Sequence, residues 1–182
     1  MREKGHDQPV HPEDANCGIP NTCERAVPAW LILLDNIPTL ALFLLGAVLL
    51  GILWRPLAIG ILLYDLLAVV MFWGLICRHC HHFDTKACPC GYGMVAPKYF
   101  KKREGKNFRE VFKKNIIIMF PCWFGPLGVG AYLLYARFSR ELLIIFLMFV
   151  VVGFILIPAI SRFVGCKGCD LKKECPWMAS SG

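Results

Sequence analysis

Apolar residues fall along the chain in four long runs, at 28–53, 57–76, 115–136 and 142–164, and nearly all the charge lies between and outside them. Each run is close to the roughly 20 residues an α-helix needs to cross about 30 Å of hydrocarbon. None shows the strict alternation of a half-buried strand, and none keeps one face polar as a helix on a soluble core does. The pattern predicts an all-α integral membrane protein, a four-transmembrane-helix bundle with cysteine-rich loops. It divides into an N-terminal segment (1–27), a first helical hairpin (28–76), a cysteine-rich basic loop (77–114), a second hairpin (115–164) and a cysteine-rich tail (165–182).

Two runs carry interruptions. Asp35, Asn36 and Pro38 sit early in the first, so its opening residues, 30–34, are expected at the membrane interface. Pro121, Gly125, Pro126, Gly128 and Gly130 break up the third. Small residues and prolines weaken a lone helix, yet they let neighbouring backbones approach and meet the freed carbonyls. A kinked, tightly packed helix is therefore expected there, with a discontinuous helix lining a cavity as the sharper alternative.

Composition agrees: 57% of the 182 residues are hydrophobic, more than a soluble domain of this size can cover. Residues 1–25 mix both charge signs with prolines and histidines and lack an apolar core, so the first run is expected to be a retained helix and not a cleaved signal. Four spans put both termini and the 77–114 loop on one side. All but Arg55, Arg137 and Arg140 of the 20 Lys and Arg residues fall on that side, which the positive-inside rule makes cytoplasmic, in a multi-pass cell-membrane protein. Residues 98–114 hold eight Lys and Arg against Glu104 and Glu110. With Phe100, Phe108, Val111 and Phe112 as an apolar stripe, they predict a basic surface helix on anionic headgroups. A membrane tether a few residues away favours lipid over nucleic acid as the partner of this run.

The ten cysteines add chemistry to this frame. Cys122 lies inside the third run and reads as packing. The other nine fall on the predicted cytoplasmic side, where reduced cysteines in sets are metal ligands more often than disulfides. Cys77 and Cys80 form a C-x-x-C at the end of the second run, and Cys88 and Cys90 follow in a Cys-Pro-Cys-Gly turn. Four thiolates from two turns suit a tetrahedral zinc or an iron–sulfur cluster. Cys166, Cys169 and Cys175 repeat the arrangement after the fourth run, with Cys23 or Cys17 as the nearest fourth ligand. The repeat, 89 residues on, suggests two duplicated helical hairpins. Cys77, Cys80 and His81 also fit the c-type haem attachment pattern, but that attachment takes place outside the cytoplasm. His79, His81 and His82 are alternative ligands beside so many thiols and read more simply as interfacial polar residues.

Asp65, beside Tyr64, is an ionisable group inside the second run, which marks it as a functional candidate. It could carry protons, hydrogen-bond a quinone as a cofactor-binding residue, or tie helices together. Asp35, nearer a run's end, reads as a cap or interface residue. No Walker loop, dinucleotide glycine fingerprint, hydrolase elbow or zincin motif occurs, so nothing points to nucleotide use or hydrolysis. The expectation is a membrane metalloprotein with two cytoplasmic cysteine sites, a non-catalytic accessory or electron-transfer subunit of a membrane complex or a self-associating protein. A membrane thiol–disulfide oxidoreductase and a metal-trafficking protein are the alternatives.

Overall fold

The computed structural model describes residues 27–103, 105 and 107–165, and among them all secondary structure is helical. In chain order the α-helices are α1 (Ala29–Leu53), α2 (Arg55–Leu75), α3 (Tyr92–Val95), α4 (Phe108–Asn115), α5 (Phe120–Ala136), α6 (Arg140–Val150) and α7 (Ile157–Ile160). Short 3-10 and π turns extend several of these into longer rods. Four stretches are long and apolar enough to cross a membrane: Ala29–Leu53, Arg55–His79, Phe108–Ala136 and Arg140–Phe163. They reproduce the four apolar runs of the sequence.

The turns at one end of the bundle are tight. Trp54 alone separates α1 from α2, and Pro56 sits in the first turn of α2, where its missing N–H would have no helical partner anyway. The second turn ends at Ser139, whose Oγ accepts the Leu142 N–H at 3.1 Å, while Glu141 places negative charge at the start of α6.

Helix α1 is the centre of the bundle and packs against α2, α5 and α6. The interior is built on Leu42, Leu49, Leu133, Leu142 and Phe149. Small residues set the spacing. A Cβ added at Gly46 would stand 2.9 Å from Pro126 Cγ, and one at Gly130 would stand 2.5 Å from a Phe146 ring carbon. Such close approach is how membrane helices gain packing contacts without a hydrophobic drive between them. The outer surface is apolar too: Leu40, Leu63, Leu66 and Ile155 are all exposed. The fourth rod, Arg140–Phe163, is the most apolar of the four and the least buried.

The third rod differs from expectation in where it is irregular. Helix α5 runs unbroken through Pro126, and Pro121 occupies its first turn. The irregular part lies before it, where a 3-10 turn, Ile116–Met119, joins α4 to α5. The surface helix is shorter than the basic run, Phe108–Asn115, capped by Asn107 accepting the Arg109 N–H at 2.9 Å. Phe108 and Phe112 pack together, tilted, with ring centroids 5.8 Å apart, and Val111 is buried. Phe100 lies outside this helix, packed against Gly74 of α2.

In the fourth rod, α6 opens into a π turn at Val151–Leu156, closes into α7, and opens again at Ser161–Gly165. Pro158, which cannot donate to an α-helical ladder, sits between the two wide turns.

Candidate functional site

At the end of α2 the chain tightens into a 3-10 turn, Cys77–His79, that starts the cysteine loop. The loop folds back on itself around Phe83, which is buried with Cys77 and Ala96. Two glycines allow the fold. Gly91 has a positive φ of 74°, and a Cβ there would meet Ile32 Cγ2 at 2.7 Å. Gly93 lies so close to the His82 carbonyl oxygen that no side chain fits, and its N–H donates to Cys88 Sγ at 3.2 Å.

The loop that leaves α2 docks on α1. Asn36 Nδ2 donates to the Cys90 carbonyl at 3.1 Å and to the Ile32 carbonyl at 2.7 Å. The Asp35 carboxylate accepts side-chain hydrogen bonds from Cys90 and from Ser161 at the far end of the fourth rod. Val27 N–H reaches the Lys86 carbonyl at 2.9 Å. The beginning of α1, the cysteine loop and the end of the fourth rod therefore share one end of the bundle.

This fold brings the first four predicted ligands into one loop at the end of α2, the other three within electrostatic range of Cys77. Cys77 lies within electrostatic range of Cys80 and Cys88, and Cys90 within range of Cys88 and Cys77. The Cys90 thiol is pushed well above its ordinary value, first by burial and then by the negative charge of Asp35 beside it, so it holds its proton at neutral pH. Tyr92 is pushed up by burial, then by Cys90 and Asp35. Its ring packs edge-on to Phe72 at 6.1 Å and against Trp73 at 5.8 Å. The cysteines here are thiols, and no disulfide joins them. Among the described residues, no three His, Cys, Asp or Glu side chains stand close enough together to hold a metal ion. His81 is exposed, and His79 Nδ1 lies 3.1 Å from the Leu75 carbonyl. The second predicted set, Cys166, Cys169 and Cys175 with Cys23 or Cys17, lies outside the described residues.

Asp65 is buried, 2% exposed, in the bundle interior. Its hydrogen-bonding side-chain neighbour is the Cys122 thiol, from the first turn of α5, and its Oδ1 atom has no partner. The Tyr64 hydroxyl donates to the Ile118 carbonyl at 2.8 Å, a backbone group in the 3-10 turn before α5. The two residues together fasten α2 to the irregular start of the third rod.

A cavity of about 400 Å³ opens between all four rods just inside the cysteine loop. Its walls are aromatic, among them Phe72, Trp123 and Phe154, with Trp123 and Phe154 edge-on at 5.5 Å. Asp35, Thr39 and Tyr92, with the indole of Trp123, are its polar side chains, and Asp65 does not line it. Sequence reasoning read Asp35 as a cap or interface residue and passed over Thr39 and Tyr92. The signal was present in the spacing: Asp35, Thr39 and Phe43, four residues apart, lie along one face of α1, and that face is the cavity wall.

Comparison with known proteins finds no matching family model, no matching curated protein and no matching solved structure.

Proposed function

We propose that the chain is a multi-pass membrane metalloprotein whose cysteine loop holds a zinc ion or an iron–sulfur cluster, serving as an accessory or electron-transfer subunit of a membrane complex. Cys77, Cys80, Cys88 and Cys90 are the ligands of the first site. The observation that supports this reading is the docking of the Cys88–Cys90 turn on α1, which leaves Cys88 and Cys90 within electrostatic range of Cys77. Metal binding draws the four sulfurs inward, since a metal site forms fully only with its ion. Cys166, Cys169 and Cys175, with Cys23 or Cys17, form a second site, and two duplicated hairpins carry one site each. The apolar outer surface belongs in a lipid bilayer. The concentration of Lys and Arg at the loop end puts that end, and both termini, in the cytoplasm.

The test is elemental analysis and an absorption spectrum of the full chain purified without oxygen. A tetrahedral site fails as a unit, so Cys88→Ser should lose as much metal from the first site as Cys77→Ser and Cys88→Ser combined. Full metal content in Cys88→Ser would sink the four-ligand assignment.

A second reading is favoured by the thiol state of the cysteines and by the absence, among the described residues, of three ligands already within reach of one ion. In it the chain is a membrane thiol–disulfide oxidoreductase. The same preparation decides: metal-free protein in which a mild oxidant reversibly closes Cys88 onto Cys90, or Cys77 onto Cys80, supports this reading against the metalloprotein.

A further inference from the structure

We infer that the cavity between the four rods is a binding site for the ring of a quinone-class molecule, a planar apolar ring with oxygens at its edge. Three features of the cavity specify this occupant. Its volume, about 400 Å³, falls in the range of small-molecule pockets and is far too small for a two-chain lipid. Its walls are dominated by aromatic rings from every rod, and flat rings pack best against edge-on and offset neighbours. Its polar side chains are few: Asp35, Thr39 and Tyr92, with the indole of Trp123. The Tyr92 hydroxyl can donate to a carbonyl oxygen of an oxidised ring; the Thr39 hydroxyl, which donates to the Asp35 backbone carbonyl at a long 3.5 Å, can turn to do the same, and the Asp35 carboxylate can accept from the hydroxyls of a reduced ring. A molecule of this class reaches the cavity by partitioning into the bilayer.

The surroundings fit the same occupant. Phe154 and Ile157, which face the cavity, lie at the first π turn and the start of α7, and such widened turns recur at functional sites. Asp35 is also the residue that accepts a hydrogen bond from Cys90. A ring held at Asp35 is therefore one side chain away from the cysteine loop. The role of holding a ring, which the sequence offered to Asp65, falls to Asp35. The inference stands on the cavity and not on which metal, if any, the loop binds.

The experiment uses the full chain in lipid nanodiscs and a short-tailed naphthoquinone as probe, with an alkylnaphthalene of equal tail, lacking the oxygens, as its control. Equilibrium binding of the quinone should saturate at one per chain. Val69→Trp, which fills the cavity, should abolish it. The double change Thr39→Val and Tyr92→Phe keeps shape and removes both hydroxyls. It should weaken the quinone about tenfold, the scale of two neutral hydrogen bonds, and leave the hydrocarbon unchanged. Three results would overturn the inference: uptake no greater than in empty nanodiscs, saturable binding that neither variant alters, or a hydrocarbon that binds as tightly as the quinone. Metal content measured on the same samples separates this outcome from the fate of the metalloprotein reading, because loss of metal with retained quinone binding leaves the cavity site standing.

Discussion

Asp65 places a carboxyl group, 2% exposed, in the middle of a helix whose other side chains are nearly all hydrocarbon. At the centre of a span such a group costs about 2.5–3.5 kcal/mol on insertion scales. The Cys122 thiol offsets part of that cost, so the two side chains should be energetically coupled. Cys122→Ala is expected to destabilise the protein by about 1–3 kcal/mol, because it strips the carboxyl of its side-chain donor. Asp65→Leu with Cys122→Ala should recover much of that loss, giving a coupling of about 0.5–3 kcal/mol in a double-mutant cycle followed by unfolding in detergent. Strictly additive effects would show that the pair is a packing accident. The sequence revealed one partner and hid the other. A carboxylate inside an apolar run announces itself, whereas a buried cysteine behaves as a small hydrophobe and looks like packing. Asp35 was hidden differently: its nearness to the run's end suggested a cap, and its side-chain neighbours, Cys90 and Ser161, come from 55 and 126 residues further along the chain.

At the scale of elements, the four rods were legible because hydrocarbon thickness imposes a length that few other structures require. The irregularities were less so. Pro121 looked like a break in the third rod, yet a proline in the first turn of a helix removes an N–H that had no partner, so α5 starts there instead of kinking. The irregularity lies in the 3-10 turn before it, whose Ile118 carbonyl is taken up by Tyr64. Helix α4 keeps the amphipathic character read from the sequence, with Phe108, Val111 and Phe112 as its apolar residues, Glu110 in its first turn and Lys113 and Lys114 in its last. It should lie on anionic headgroups. Amide hydrogen exchange across α4 is expected to slow in nanodiscs containing phosphatidylserine relative to pure phosphatidylcholine. Lys113→Glu with Lys114→Glu should abolish that protection, at about 1 kcal/mol per lysine, and so should high salt. Equal exchange in both lipids would remove the headgroup contact.

For the whole molecule, the charge asymmetry makes a topological prediction. Single cysteines introduced beside Lys101 or Lys102 should react with a membrane-impermeant reagent applied from the cytoplasm, and cysteines beside Arg55 or Arg140 should not. Reaction at Arg55 from the cytoplasm would invert the protein and put its thiols in an oxidising compartment. Counting apolar runs was enough to foresee which segments share an end of the bundle, and the contacts among Val27, Lys86, Asp35, Cys90 and Ser161 bear this out. It was not enough to foresee the cavity. A space bounded by four rods depends on which faces meet, and helices that are apolar all round carry little periodic signal to say so.

The docking of the cysteine loop on α1 also bears on the order in which the protein is made. Everything that seats the Cys88–Cys90 turn, namely Ile32, Asn36 and the end of α2, leaves the ribosome before α5 begins. The far walls of the cavity, Trp123 and Phe154, come later, and Ser161 reaches Asp35 last of all. The nascent chain can therefore settle its thiols while the pocket beneath them still lacks two of its walls, and translation of the final helix completes it.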